Sequence, residues 1–329
     1  ARRRPGALRA NGSPLAPGPR SHPKAQPERG HHVFSPEVTA RLKRIELTTR
    51  GLVESLFSGE YHSIFKGRGL EFSDVREYQP GDDVRAIDWN VTARRGRLFI
   101  KEFVEERQLS TLVIVDLSAS KAFGTGAKDN ATIAAEIAAI LTLAATSNND
   151  RAGLLLVTDR VEHFVPPDTG RRHAMRLVLE LLAYQPVGKG TRLSEAMRYA
   201  EKVLRQRSTV FVISDFLTGT AADPDLPRAA RKLAWDHDVV PSRLVDPATG
   251  HLPRVGMLAV TDPESGRRQI VNTNRRSVRA RFEEVAASAQ ASLDDLFRDL
   301  QLDTIDLVTA EDYLPPLIGF FRRRARSSR

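Results

Sequence analysis

The chain has 329 residues, 41% of them hydrophobic, enough for one large core or two modest ones. It has no cysteine, which excludes disulfides, thiolate metal sites and thiol catalysis. The formal net charge of +9 suggests an acidic partner until it is divided along the chain. Residues 1–30 carry seven basic side chains and one acid, and residues 320–329 carry five arginines, so residues 31–319 are left at −2. A basic nucleic-acid-binding body is therefore not expected.

Residues 1–34 are rich in Pro, Gly, Arg, Ser and Ala, and the expectation is a disordered basic tail. The start Ala1-Arg2-Arg3-Arg4-Pro5 is followed by no apolar stretch, so it fails as a secretory or twin-arginine signal. Ser35-Pro36-Glu37 is a helix start, and Val38, Leu42, Ile45, Leu52, Val53 and Leu56 follow at roughly helical spacing. Residues 35–109 read as an N-terminal module. Within it, Leu70–Tyr78 alternates loosely and Leu98–Glu105 is strand-like. Between them lies the charged run Gly81-Asp82-Asp83-Val84-Arg85-Ala86-Ile87-Asp88-Trp89. Asp82, Asp83, Asp88, Arg76, Arg85 and Arg94 are expected to satisfy one another. A docking surface with Trp89 as its anchor is the sharper reading, although a tryptophan is more often buried.

From Ser110 the pattern alternates strand and helix. Thr111–Val115 and Thr209–Ile213 are continuous apolar runs, the mark of strands covered on both faces. Helices are expected near 130–147, 171–184, 194–205, 226–237, 277–300 and 314–321. Further strands are expected at 153–158, 161–165, 239–245 and 304–308, with a hairpin across 255–271 that turns at Gly266. The predicted fold class is α/β, Rossmann-like, with a mainly parallel sheet and helices on both faces. This domain is taken as 110–321, followed by a basic tail at 322–329. Ala131–Thr146 is alanine-rich and interrupted by Glu136, so it reads as a packed helix and not as a membrane span.

In open α/β sheets ligands sit beyond the carboxyl ends of the strands. The first apolar strand ends in Asp116-Leu117-Ser118-Ala119-Ser120, and the second in Ser214-Asp215-Phe216. Gly188-Lys189-Gly190-Thr191 opens the helix before the second. Asp116, Ser118, Ser120, Thr191 and Asp215 together offer two carboxylates and three hydroxyls. That all-oxygen set suits Mg²⁺, which takes six oxygens and often keeps several waters. With few anionic ligands, the ion would retain positive charge for a partner's carboxylate.

The same five residues resemble the metal-ion-dependent adhesion site of von Willebrand factor type A domains. The run Gly69, Glu71-Phe72, Arg76, Tyr78, Pro80-Gly81-Asp82-Asp83, Arg85, Ile87-Asp88-Trp89 and Ala93-Arg94 is similar to the bacterial and archaeal domain-of-unknown-function family 58. Phe103, Glu106 and the late Leu317–Phe321 followed by arginines extend the likeness to roughly residues 36–324. Lys121 stands where many members have Met, and Gly188-Lys189-Gly190-Thr191 where Gly-Gly-Thr is usual.

The resemblance implies a non-enzymatic adaptor working with a MoxR-type AAA+ ATPase. It would bind a client's carboxylate through Mg²⁺, with Mn²⁺ or Ca²⁺ as substitutes. The expected location is the cytoplasm, with no nucleic-acid partner and at most weak contact of the arginine tails with anionic membranes.

The alternative is a Mg²⁺-dependent phosphoester hydrolase using Asp116 and Asp215. It lacks a placed general base. Haloacid-dehalogenase chemistry would also want a second Asp where Ser118 sits. His31, His32, His62, His163, His173, His237 and His251 show no i, i+4 zinc pairing. Gly67-Arg68-Gly69 lacks a third glycine for a dinucleotide loop, and there is no G-x-S-x-G elbow.

Overall fold

A computed structural model of the chain describes residues 71–104, 108–118, 129–217, 223–261 and 268–327. The expected tail at 1–34, the helix from Ser35, Ser120, Lys121 and the Gly266 turn lie outside the described residues.

Strands β1 (Glu71–Glu77) and β2 (Phe99–Val104) pair antiparallel, with Glu77 opposite Phe99 and one irregularity between Phe72 and Asp74. The charged run between them folds locally. Asp82 accepts two hydrogen bonds from the Arg76 guanidinium, both at 2.8 Å, and one from Gln79 N–H. Asp83 accepts from Arg85 N–H and caps a 3-10 turn at Val84–Ala86. Asp88 accepts from the N–H groups of Asn90 and Val91 and caps a short helix, α1 (Trp89–Arg95). Gly96, at φ 70°, closes that helix in the left-handed conformation that glycine allows. Asp82 therefore forms the expected ion pair, whereas Asp83 and Asp88 serve as helix caps. Trp89 is 66% exposed, contrary to the usual burial of tryptophan.

The main sheet contains β3 (Ser110–Asp116), β4 (Arg151–Val157), β5 (Val161–Asp168), β6 (Thr209–Ser214), β7 (Asp238–Val245) and β10 (Ile305–Val308). Its order is β10-β7-β6-β3-β4-β5. Neighbours are parallel except β4 and β5, which form an antiparallel pair. Every residue of β3 and β6 is buried, as two-sided coverage requires.

One face carries α2 (Asn130–Ser147), α3 (Arg171–Ala183) and α7 (Leu314–Ser327) on Val113, Val115, Leu154, Leu156, Phe211 and Ile213. The other carries α4 (Leu193–Val203), α5 (Leu226–Asp236) and α6 (Arg276–Asp299) on Leu112, Ile114, Leu155, Val157, Val210 and Val212. Alternate residues of each strand thus feed alternate cores. Each fully buried Leu, Ile or Val is worth about 1.5–3 kcal/mol over exposure.

Helix α2 has the length and composition of a membrane span, yet it is a core helix here. Its small side chains let it lie between the sheet and α3, where Ala139 and Leu143 meet Ala174 and Val178. Its interruption, Glu136, is buried and accepts from Tyr313 O–H at 2.8 Å. Burial and that carboxylate both push the Tyr313 phenol pKa upward.

The expected C-terminal tail is corrected at its start. Helix α7 continues to Ser327, so Arg322, Arg323, Arg324 and Arg326 belong to it. Leu317, Phe320 and Phe321 bury its apolar side. Arg324 holds the last turns down: it makes a bidentate pair with Asp238 at 2.7 Å, a bond to Asp303 at 2.8 Å, and a stack over Phe320. Arg243 does similar work in the sheet. It is buried on β7 and bonded to Asp306 of β10 and Asp294 of α6.

Candidate metal centre

The chain runs from β3 outward to β4 and β5, then returns to β6 on the other side of β3. The switch point of the sheet therefore lies between β3 and β6, where the crevice for a ligand opens. Asp116 is the last residue of β3, and Ser214 the last of β6. In register, Val115 faces Ile213, so Asp116 and Ser214 meet at the carboxyl edge.

Asp116 is fully buried. Its Oδ2 accepts from Ser214 O–H at 2.6 Å, and its Oδ1 accepts from Ser118 N–H at 2.9 Å. Ser214 Oγ in turn accepts from Phe216 N–H at 3.1 Å. Ser118 and Asp215 are buried beside them, and Asp215 Oδ1 accepts from Leu217 N–H at 3.1 Å. Phe216 adopts φ 53°, a left-handed conformation costing a bulky residue about 1–2 kcal/mol. Its ring is buried edge-on against Phe297 of α6, which offsets that cost.

Thr191 arrives by a different route. Arg192 N–H donates to Thr158 O at 3.0 Å, which fixes the segment to the end of β4, next to β3. Glu162 on β5 organises the approach to it. The carboxylate accepts from Gly188 N–H at 2.6 Å, Thr158 O–H at 2.7 Å and Tyr184 O–H at 3.1 Å. Partial burial works to raise its pKa, but these hydrogen bonds outweigh burial and hold it below the ordinary glutamate value. Gly188 fits closely, because a Cβ there would force the Thr158 and Asp159 side chains to shift. At the start of α4, Ser194 N–H donates to Asp223 Oδ2 at 2.8 Å, which joins the chain after β6 to the helix that follows Thr191.

The structure therefore brings Asp116, Ser118 and Asp215 together at one edge and holds Thr191 at the adjoining strand end. Ser120 lies outside the described residues. Ser214, Glu162 and Asp223 are positioning residues that the sequence reading missed. Ser214 was legible only as the last residue of a buried strand.

The donor set suits a hard divalent cation. Asp116, Asp215, Ser118 and Thr191 supply oxygen alone, the donor type a hard cation takes. Among the described residues there is no cluster of three or more His, Cys, Asp or Glu side chains that could hold a metal. Any ion here would thus rest on hydroxyls and water as much as on carboxylates. The described histidines are used elsewhere. His163 pairs with Glu180 at 2.6 Å, and His251 with Glu283 at 2.6 Å. His173 bonds Ala152 O at 2.8 Å, and His237 Nδ1 accepts from Ser208 N–H at 3.3 Å.

Comparison with known proteins places this architecture. The chain is 30% identical over 298 residues to the uncharacterized protein Rv1480 of Mycobacterium tuberculosis (strain ATCC 25618 / H37Rv), covering 90% of this chain and 92% of that one. It is 43% identical over 51 residues to the uncharacterized protein YeaD of Bacillus subtilis (strain 168), or 16% of this chain and 13% of that one. Among solved structures, the conserved hypothetical protein BatB of Bacteroides thetaiotaomicron matches at TM-score 0.44 and 13% identity, over 66% of this chain and 99% of its own. A von Willebrand factor type A protein from Catenulispora acidiphila matches at TM-score 0.40 and 12% identity, over 68% and 44%. The model of the family described as "Protein of unknown function DUF58" matches residues 74–292, from β1 through most of α6. The chain is a member of the DUF58 family.

Proposed function

We propose that this chain is a non-enzymatic, metal-dependent protein-binding adaptor. Its site is the switch-point edge of the sheet, and its partner is a MoxR-type AAA+ ATPase acting on client proteins in the cytoplasm. The observation that carries the reading is the junction of Asp116, Ser118, Ser214 and Asp215, a buried oxygen cluster at the carboxyl edge of the sheet.

Asp116, Asp215, Ser118 and Thr191 would hold Mg²⁺, with Ser120 as a further hydroxyl. When bound, Mg²⁺ supplies an open coordination position for an incoming carboxylate. Ser214 keeps the Asp116 carboxylate oriented, and Glu162 keeps the Gly188–Thr191 segment in place. The engagement of His163, His173, His237 and His251 elsewhere favours binding over hydrolysis, since a hydrolase needs a base at the reacting atom.

The test is co-purification with the candidate ATPase, with Mg²⁺ or EDTA, for wild type and Asp116→Ala. Recovery that requires both Mg²⁺ and Asp116 is expected. Equal recovery in every arm would sink the metal bridge, and turnover of a phosphoester panel would replace it with the hydrolase reading.

A further inference from the structure

Strands β3, β6 and β7 are parallel, so the chain leaves β7 at the same edge as the candidate metal centre. It then forms a 3-10 turn (Pro247–Gly250) and a separate antiparallel hairpin of β8 (Met257–Thr261) and β9 (Arg268–Asn272). It returns along α6, which is about 36 Å long at 1.5 Å per residue. Only Leu293, Leu296 and Phe297, near its C-terminal end, are buried in the core. Among residues 276–292 none is fully buried, and Val278, Arg279, Glu283, Ala286 and Ala289 are half-buried. The hairpin and the first two-thirds of α6 make an arm.

The arm is firmly rooted. Thr273 is fully buried. Its hydroxyl accepts from Val255 N–H and donates to Gly256 O, both at 2.9 Å, and its own N–H donates to Gly256 O at 2.7 Å. Arg279 donates to the carbonyls of Thr273 and Asn274, tying the helix to the hairpin exit. Glu283 of α6 pairs with His251.

The outer surface of this rooted arm is apolar and basic. The register places Met257, Ala259 and Ile270 on one hairpin face, ending in Thr261 and Arg268. Met257 and Ile270 are each 66% exposed, while Leu258 and Val271 on the opposite face are half-buried. Phe282 and Val285 add exposed apolar surface on α6. Arg268, Arg275 and Arg276 are exposed here, whereas Arg281 pairs with Glu284 at 2.8 Å. Among the described residues, no third strand pairs with either edge of the hairpin. A two-stranded hairpin with open edges and an exposed apolar face is marginal by itself and is a template for another strand.

We infer that this arm docks an extended, acidic segment of a partner protein, which adds as a third strand to the β8–β9 hairpin. Backbone pairing at the open edge gives affinity. Met257 and Ile270 accept alternate apolar side chains, and Arg275 and Arg276, at the start of α6, select acidic ones. The arginine-rich surface would also attract an anionic lipid layer. Headgroups cannot fill the row of strand donors and acceptors in register, so the open edges favour a peptide.

The experiment is fluorescence anisotropy of a labelled alternating Glu-Val decapeptide with the full chain. Arg275→Glu/Arg276→Glu is expected to weaken binding at least tenfold, and Met257→Ser/Ile270→Ser at least threefold. N-methylation of alternate peptide nitrogens should cost at least tenfold. An alternating Lys-Val peptide should not bind, and EDTA should change nothing, which separates this surface from the metal centre. All four substitutions alter exposed side chains, and unchanged thermal midpoints would show intact folding.

No binding to wild type, equal binding by the variants, or indifference to N-methylation would overturn the proposal. So would capture of wild type by phosphatidylglycerol vesicles without peptide binding, or self-association abolished by the arginine variant. Those last two results would assign the arm to a membrane or to a second copy.

Discussion

Asp82, Asp83 and Asp88 lie within seven residues of one another, while Asp116 and Asp215 are separated by 98 residues of chain. The dense group spends its carboxylates locally: one pairs with Arg76 six residues away, and two cap helices. The dispersed group is assembled by the parallel register of β3 and β6 and is buried. Carboxylates that are close in sequence find local donors first. Those brought together by topology lie at strand ends, the edge of an open α/β sheet where ligands bind. Charge density along the chain thus reports local pairing here, whereas strand order decides which distant carboxylates meet.

The largest test of this contrast is at Asp116. Saturating Mg²⁺ should raise the thermal midpoint of wild type, since one hundred times the dissociation constant is worth about 2.7 kcal/mol. Asp116→Ala should remove the whole rise. It should also strand the Ser214 hydroxyl and the Ser118 N–H, costing about 2–4 kcal/mol by urea unfolding. A full Mg²⁺ response in Asp116→Ala would erase the distinction between the two acidic groups.

Gly188→Ala should come next, at about 1–3 kcal/mol, because its Cβ must displace Thr158 and Asp159. Urea midpoints would measure this, and Mg²⁺ titration of the same variant would report the loosened Thr191 segment. In the dense group, Asp88→Ala should cost about 1 kcal/mol, the worth of an N-cap, with no change in Mg²⁺ response.

Acidification gives a smaller effect. Glu162 has a lowered folded pKa, so its stabilisation is complete above the ordinary value of 4.5 and is lost as pH falls through the folded value. Thermal midpoints should therefore fall less below pH 4.5 in Glu162→Gln than in wild type. The difference should be no more than about 1 kcal/mol after solvent screening. The smallest change is expected for Asp82→Asn, where the partner Arg76 is solvent-exposed and the urea midpoint should barely move.

Much of the fold was legible because it rests on local patterns. Thr111–Val115 and Thr209–Ile213 announce buried strands, and the alanines of α2 announce a helix packed on two sides. Helix α1 was not legible. It is seven residues long and has no apolar period, and its signals are only the cap Asp88 and the terminator Gly96. The end of α7 was misread because its arginines look like a tail. Arg324 is instead folded down by Asp238 and Asp303, which are distant in sequence. The candidate site residues Asp116, Ser118 and Asp215 were visible as residues following buried strands. Ser214, Glu162 and Asp223 were not, since their roles depend on register and loop closure.

The ring of Phe216 has a mechanical consequence. It follows Asp215 directly and rests on Phe297, near one end of the stiff rod whose other end carries the β8–β9 hairpin. The backbone at Phe216 is wound against its preference, and its buried ring and the Ser214 bond hold it so. The sheet edge and the distant hairpin are thus in mechanical series through the buried end of that rod, where Phe297 with Leu293 and Leu296 sits in the core.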